Sequence, residues 1–385
     1  MKKSYCIFSA RFLPSYGGVE RYTLNLSKQL MQKGIDVTVV TSSVNGLPQR
    51  ETVEGIDVFR LPSIDLLEGR FPVLKPCGET RRLIAQLNQK NFDFAIIQTR
   101  FYALSLFGAR YLKKRKIPFI LIEHGTAHLT IQSSFWNRLG HAYEHAEAAL
   151  VRRYCSDFYG VSEACCEWLE HFHIRAKGVL YNAINLEDVL SRASHPIEDY
   201  RAGYAGEGGE VLAYVGRLIR EKGILQLIEA VKRLTEMGYR LTLLIAGDGD
   251  LLETVEQEGS KHIVSLGKLD FDHVIALYKA SDCFILPSDS EGFPTTVLEA
   301  IACGCYVITT ERGGAKELII DDTYGLVIQD NQTERLVKAI QTAIDDPERR
   351  REAAARAYRR LSEHFTWLHT CEKVMDVERE MTTGR

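Results

Sequence analysis

Short apolar runs alternate with amphipathic stretches along the whole chain. The runs that predict strands in the first half are Tyr5–Ser9, Val37–Thr41, Ile56–Leu61, Phe94–Gln98, Phe119–Glu123 and Phe158–Val161. Between them, apolar residues at helical spacing predict helices over Val19–Lys33, Glu79–Lys90, Ala103–Lys113, Phe135–Arg153 and Glu163–Phe172. The second half repeats the rhythm. Its strands are Val211–Val215, Leu241–Ala246, Ile263–Leu266, Cys283–Leu286 and Val307–Thr309. Its helices are Leu225–Met237, Leu251–Glu258, Phe271–Ala280, Thr295–Cys303 and Glu334–Ile344. Strands alternating with helices build βαβ units, hence parallel sheets covered by helices on both faces. The expected fold class is therefore α/β, with two doubly wound domains facing across a cleft. The break between them lies in Asn185–Gly209, which lacks an apolar period, contains Pro196 and ends in AGEGGE. Residues 348–385 read as helix with a break near His364–Thr366, and their ArgArgArg run as a solvated helix face.

A length of 385 residues suits two or three domains at about 100–200 residues each. With 45% hydrophobic and 26% charged residues, the chain is not disordered, collagen-like or a disulfide miniprotein. Lys and Arg number 48 against 51 Asp and Glu, which gives no support to a dedicated nucleic-acid binder. The nine cysteines (6, 77, 155, 165, 166, 283, 303, 305 and 371) fit neither a C-x-x-C nor a zinc spacing. Most stand in apolar runs, as reduced, cytosolic cysteines do. The apolar run at the N-terminus is too short for a signal peptide, and no stretch approaches a transmembrane helix. The expected location is the cytoplasm, with peripheral membrane contact left open.

Gly17-Gly18 follows the first predicted strand and opens the first predicted helix. Backbone N–H groups there, with no Cβ in the way, form an anion site, and an ordinary tight turn explains the pair equally well. No G-x-G-x-x-G follows that strand, which argues against a nicotinamide dehydrogenase. Arg217 and Lys222 lie in GRLIREKG (216–223), at the carboxyl end of the first strand of the second half, where doubly wound sheets bind ligands. Two fixed cations suit a diphosphate, although taken alone they read more readily as a charged loop. Glu291 and Glu299 frame SEGFPTTVLEA (290–300), with the helix starting near Pro294. The loop amides of Gly292 through Thr295 can bind an anion at that N-terminus. Glu299, within apolar LEAIACG, is expected to be buried and partnered. His124 follows the apolar strand PFILIE and enters a loop, either as a site residue or as a structural histidine. Asp248-Gly249-Asp250 resembles the D-x-D metal motif of another transferase fold and is equally good turn chemistry.

Taken in this order, these pieces resemble the retaining glycosyltransferases of family 4, which have the GT-B fold of two Rossmann-like domains. The resemblance rests on PSYGGVERYTLNLSKQLMQKGIDVTVVT (14–41), VSE (161–163), YNAIN (181–185), GRLIREKG, LLIAGDGD (243–250) and SDCFILPSDSEGFPTTVLEAIACG (281–304), and covers nearly the whole chain. It implies an acceptor-binding domain at 1–187, a donor-binding domain at 188–365, and a last helix, 366–385, packing back on the first. Gly17 and Gly18 would lie near the donor phosphate or transferred sugar. Arg217 and Lys222 would bind the diphosphate and offset the charge on the leaving nucleotide. Glu299 would hold the ribose hydroxyls. Glu291 and the amides of Gly292, Phe293, Pro294 and Thr295 would surround the donor sugar (proline itself offering no N–H). His124 would contact the sugar near the reacting carbon. Asp248-Gly249-Asp250 falls in the family's Gly loop, so no metal and no cofactor are expected.

The implied reaction moves a hexose-type sugar from a UDP- or GDP-sugar to a saccharide or lipid-linked acceptor, in bacterial cell-surface polysaccharide or glycoconjugate synthesis. The alternatives are a phosphorylase-like enzyme on the same architecture and a catalytically degenerate sugar-nucleotide binding protein. Loops near Gly267–Leu269 would choose the base. The irregular stretch 62–80 would meet the acceptor. RYLKKRK (110–116) could face anionic lipid on the inner face of a membrane, and is more simply a solvated helix terminus whose cations suit the dipole.

Overall fold

Runs that are apolar on both faces become the inner strands of two parallel sheets. The computed structural model describes residues 2–383 except 16, 44–45, 67–70, 129–133, 207 and 292. The chain forms two compact units, Met1–Asn182 with Trp367–Arg385, and Ala183–Thr366. The first runs β1 (Ser4–Phe8), α1 (Gly18–Gln32), β2 (Asp36–Ser42), β3 (Arg50–Val53), β4 (Ile56–Leu61), β5 (Ser63–Leu66), β6 (Phe71–Leu74), α2 (Gly78–Asn88), β7 (Phe94–Gln98), α3 (Ala103–Arg115), β8 (Phe119–Glu123), α4 (Ser134–Val151), β9 (Phe158–Gly160), α5 (Glu163–Glu170) and β10 (Gly178–Val179). The second runs α6 (Leu186–Ser194), α7 (Tyr200–Tyr204), β11 (Glu210–Val215), a 3-10 turn (Arg220–Lys222), α8 (Ile224–Glu236), β12 (Leu241–Ala246), α9 (Leu252–Gln257), β13 (Ile263–Gly267), α10 (Phe271–Ala280), β14 (Cys283–Leu286), α11 (Thr295–Ala302), β15 (Tyr306–Thr310), α12 (Ala315–Leu318), β16 (Leu326–Ile328), α13 (Thr333–Asp345) and α14 (Pro347–His364). The last helix, α15 (Trp367–Thr383), returns to the first unit.

The first sheet has the order β10-β9-β8-β7-β1-β2-β4-β3, parallel except for β3. The second has the order β13-β12-β11-β14-β15-β16, parallel throughout. Strands β7, β8, β12 and β15 are buried along their whole length. Each fully buried Ile, Leu or Phe there contributes roughly 1.5–3 kcal/mol. Strand order reverses between β1 and β7 in one sheet and between β11 and β14 in the other. In open α/β sheets that reversal leaves a crevice at the carboxyl ends of the strands.

Helix α15 packs on α1 through Trp367, Cys371 and Val374, which are buried, while Leu368 is exposed. The apolar face is thus narrower than Trp367, Leu368, Val374, Met375 and Val377 together suggest. The Trp367 ring meets Tyr22 edge-on at 5.0 Å. Lys3 Nζ reaches buried Glu378 at 2.6 Å, and the Thr370 hydroxyl donates to the Tyr181 carbonyl at 2.9 Å.

Several stretches differ from expectation. The aperiodic region 185–209 holds α6 and α7, and the units divide between Asn182 and Ala183. Helix α6 buries only Val189 and Ala193, too few for a visible period, and starts on an Asn185 cap. The irregular 62–80 stretch contains the antiparallel pair β5–β6. At the basic end of α3, Arg115 donates to the Asn88 and Lys90 carbonyls at 3.0 Å, which commits one of its cations inside the unit. All nine cysteines are free. Among the described residues, no helix is long and apolar enough to cross a membrane.

Candidate functional site

In the second unit the site grows from two adjacent strand ends. Gly216 and Arg217 leave β11, and the Gly216 N–H donates to the Ala246 carbonyl on β12 at 3.1 Å. The Tyr214 hydroxyl donates to the Arg217 carbonyl at 2.9 Å. Burial raises that phenol's pKa, and the charge of Glu291 adds to the effect, so the hydroxyl keeps its proton. The Arg217 side chain is exposed. The 3-10 turn then runs into Gly223, which caps α8 at φ 68° and ψ 18°. A Cβ there would stand 2.1 Å from the Pro287 carbonyl oxygen, so conformation and contact both demand glycine. Gly223→Ala should lower stability by about 1–3 kcal/mol from the left-handed backbone alone, with the contact adding to it, as read by urea unfolding.

The loop after β14 is fastened to that turn. The Asp289 N–H donates to the Glu221 carbonyl at 2.8 Å. The Asn331 amide donates to the Pro287 carbonyl at 3.1 Å and to Asp289 Oδ1 at 3.0 Å, and Arg312 Nε donates to the Asp289 carbonyl at 2.9 Å. Lys222 Nζ and Glu291 Oε1 form an ion pair, with side chains only 14% and 15% exposed. An ammonium has three donors, so Glu291 occupies only part of its capacity. Phe293 and Pro294 are buried, and Phe293 stacks on Phe365 with centroids 5.6 Å apart. Helix α11 begins at Thr295 on Pro294, which makes no side-chain cap, leaving a positive dipole end beside the loop. Glu299 is buried in the second turn, 5% exposed. Gly292 lies outside the described residues.

Beside Arg217 a groove of about 450 Å³ opens at the ends of β11, β12 and β13, lined by Gly216, Arg217, Gly247, Asp248, Lys268 and Leu269 among others. Its volume falls in the range of small-molecule sites, about 300–1,000 Å³. Arg217 and Lys268 are both exposed and give it two cations. The Asp248 carbonyl accepts the Leu218 N–H at 2.9 Å and its carboxylate accepts the Gly249 N–H at 2.8 Å, which is turn chemistry.

In the first unit, Gly17 caps α1 in an extended conformation. A Cβ on it would meet Glu20 Oε2 at 2.5 Å, whereas Gly18 is open. The Glu20 carboxylate therefore folds over the helix N-terminus, with Arg11 Nε 3.9 Å from it. Any anion held by the Gly17 and Gly18 amides must share that end with Glu20. The backbone N–H groups of His124 and Gly125 both donate to Glu123 Oε1 at 3.1 Å. Glu123 is buried and pairs with Arg100 at 2.8 Å, which anchors the start of this loop. His124 Nε2 lies 2.6 Å from Gln98 Oε1, and Tyr22 packs edge-on against the ring at 4.8 Å. Burial pushes the imidazole down to about 3. A depressed histidine keeps its stabilising contribution above its ordinary value near 6.5 and loses it as pH falls toward 3. The His124 ring signals should therefore not titrate by NMR between about pH 5 and 8.

Arg217, Lys222, Glu291 and the 293–299 segment converge on one end of the second sheet, while Gly17, Gly18 and His124 belong to the first unit. Sequence reasoning passed over Tyr214 and Asn331 in the second unit, and Gln98, Tyr22, Arg11 and Glu20 in the first, while Lys268 lies in the 267–269 loop it assigned to the base. A polar residue closing the apolar strand FAIIQ was the available signal for Gln98.

Residues 16–188 match the family described as Glycosyltransferase Family 4, and residues 197–360 match Glycosyl transferases group 1. A Bacillus subtilis glycosyltransferase assigned to teichuronic acid biosynthesis is 36% identical over 342 residues, which cover 81% of this chain and 82% of that protein. An uncharacterized glycosyltransferase of Methanocaldococcus jannaschii is 25% identical over 94% of both chains. The crystal structure of Anabaena HepE in complex with UDP superposes with a TM-score of 0.74 at 20% identity, covering 98% of this chain and 99% of that one. That last likeness is one of fold.

Proposed function

This chain belongs to the family 4, group 1 glycosyltransferases and is a sugar-transferring enzyme of GT-B fold, and we propose that it moves a hexose-type sugar, with retention, from a UDP- or GDP-sugar to a saccharide or lipid-linked saccharide. The observation that carries this reading is the meeting of Lys222 and Glu291 at the strand-order reversal of the second sheet, beside the groove that holds Arg217. The groove takes the nucleotide. Arg217 and Lys222 take the diphosphate and stabilise the charge that grows on it as the glycosidic bond breaks. Glu291 and the N-terminus of α11 hold sugar hydroxyls, and Glu299 holds the ribose. The first unit receives the acceptor, and His124 acts there as a neutral hydrogen-bonding group.

The relatives fit this reading. One is named as a teichuronic acid biosynthesis glycosyltransferase, and one fold neighbour was crystallised with UDP. The test is release of free UDP or GDP on incubation with a panel of nucleotide sugars, alongside thermal shift with the same panel. One donor should both stabilise the protein and yield nucleotide. Stabilisation without release under any acceptor would favour a degenerate binding protein, and no stabilisation by any donor would overturn the reading.

A further inference from the structure

Three imidazoles from three separate elements meet on the first unit, and none has a role in the transfer reaction above. His128 stands in the loop after β8, His145 on α4, and His171 caps the end of α5. Their ligand atoms all lie within 4.8 Å of one another. His128 Nε2 and His171 Nε2 are 3.1 Å apart. A tetrahedral ion with nitrogen ligands at about 2.0–2.1 Å places those nitrogens about 3.3 Å from each other. His145 and His171 are exposed, so rotamer changes can close the remaining distance.

The surroundings are those of a ligand set. His128 Nδ1, the nitrogen that would not bind the ion, faces Glu144 Oε2 at 3.4 Å. Glu144 is held by Arg100 at 2.9 Å, and Arg100 by Glu123 at 2.8 Å. Ligating histidines characteristically turn their second nitrogen to such a carboxylate. Two of the rings stack on aromatic neighbours, His171 on Trp168 at 4.9 Å and His128 on His141 at 3.9 Å.

We propose that His128, His145 and His171 bind one divalent transition-metal ion of the zinc class. Three imidazoles suit zinc, copper or nickel and not magnesium or calcium, which take oxygen ligands. The ion would fasten the segment that begins at His124 to α4 and α5, leaving its fourth position to water. This site is separate from donor binding and does not rest on the assignment of Arg217 or Lys222.

The test is titration of the untagged, EDTA-stripped protein with Zn²⁺ by calorimetry, with Mg²⁺ as the comparison ion and Co²⁺ absorption as a report of coordination. One Zn²⁺ per chain should bind, Mg²⁺ should not, and Zn²⁺ should raise Tm. His145→Ala and His171→Ala should each weaken Zn²⁺ about tenfold or more and abolish the Tm shift. His195→Ala, exposed in the second unit, should change neither. His145→Gln and His171→Gln, which keep the bulk, should repeat the loss if it is one of coordination. Absence of saturable one-to-one binding in the wild type, or binding of undiminished strength in both alanine variants, overturns the proposal.

Discussion

Arg217→Ala and Lys222→Ala should each lower kcat by about 10²–10³-fold, the usual cost of removing one preorganised charge from a developing anion. The two sites differ in what else they lose. Arg217 is exposed and makes its loop contact through its backbone carbonyl, which accepts from Tyr214, so its side chain can be removed with the fold intact. Lys222 is mostly buried against Glu291, so its removal strips that carboxylate of a partner. The double variant Lys222→Ala, Glu291→Gln separates the effects. If Lys222 acts on the diphosphate, the double variant is at least as slow as Lys222→Ala; if the single variant is slow only because Glu291 has lost Lys222, the double variant rises to the rate of Glu291→Gln alone. Excess EDTA should leave donor affinity unchanged, and Mn²⁺ should rescue none of these variants. Near-wild-type turnover in both single alanine variants would remove the diphosphate assignment.

The parts of this molecule that were legible in the sequence are those where one residue property decides the structure. β4, β7, β8, β12 and β14 fall on the expected residues because runs such as FILIE and LTLLIA, buried on both faces, have no other stable use than a parallel sheet interior. Helix α7, five residues long, starts on an Asp199 cap and contains Gly203, so neither length nor period announces it. The β5–β6 pair is short, contains Pro72 and leaves Ile64 half-exposed, which hides the alternation of a strand. At the site, the two motifs around Lys222 and Glu291 were each readable, yet their ion pair was not, because it depends on β11 and β14 being neighbours across a long crossover. The histidine set was hidden for the same reason. Of the three, His145 lies on α4, and the groups that complete the set come from a loop and the end of another helix.

Glu299→Gln and Glu291→Gln should fail differently. Glu299 is buried in the second turn of α11, past the positive end that faces the loop. Contact with ribose hydroxyls from there is remote from the reacting carbon and alike in the ground and transition states. Loss of a charge-assisted acceptor costs about 1.5–3 kcal/mol, about 10–150-fold, and should therefore appear in KM and donor affinity with kcat little changed. Glu291 stands in the loop before that helix and holds the ammonium of Lys222. On the proposed placement, Glu291→Gln both weakens a contact that tightens as positive charge develops on the sugar and removes the carboxylate that positions the Lys222 ammonium toward the leaving phosphate. Both consequences belong to the transition state, so kcat should fall more than KM rises. Steady-state kinetics with the donor identified by nucleotide release decide between the placements. If Glu291→Gln alters KM alone while Glu299→Gln collapses kcat, sugar and ribose must exchange places, and the Lys222–Glu291 pair becomes a structural clasp between the β11 and β14 loops rather than part of the reacting centre.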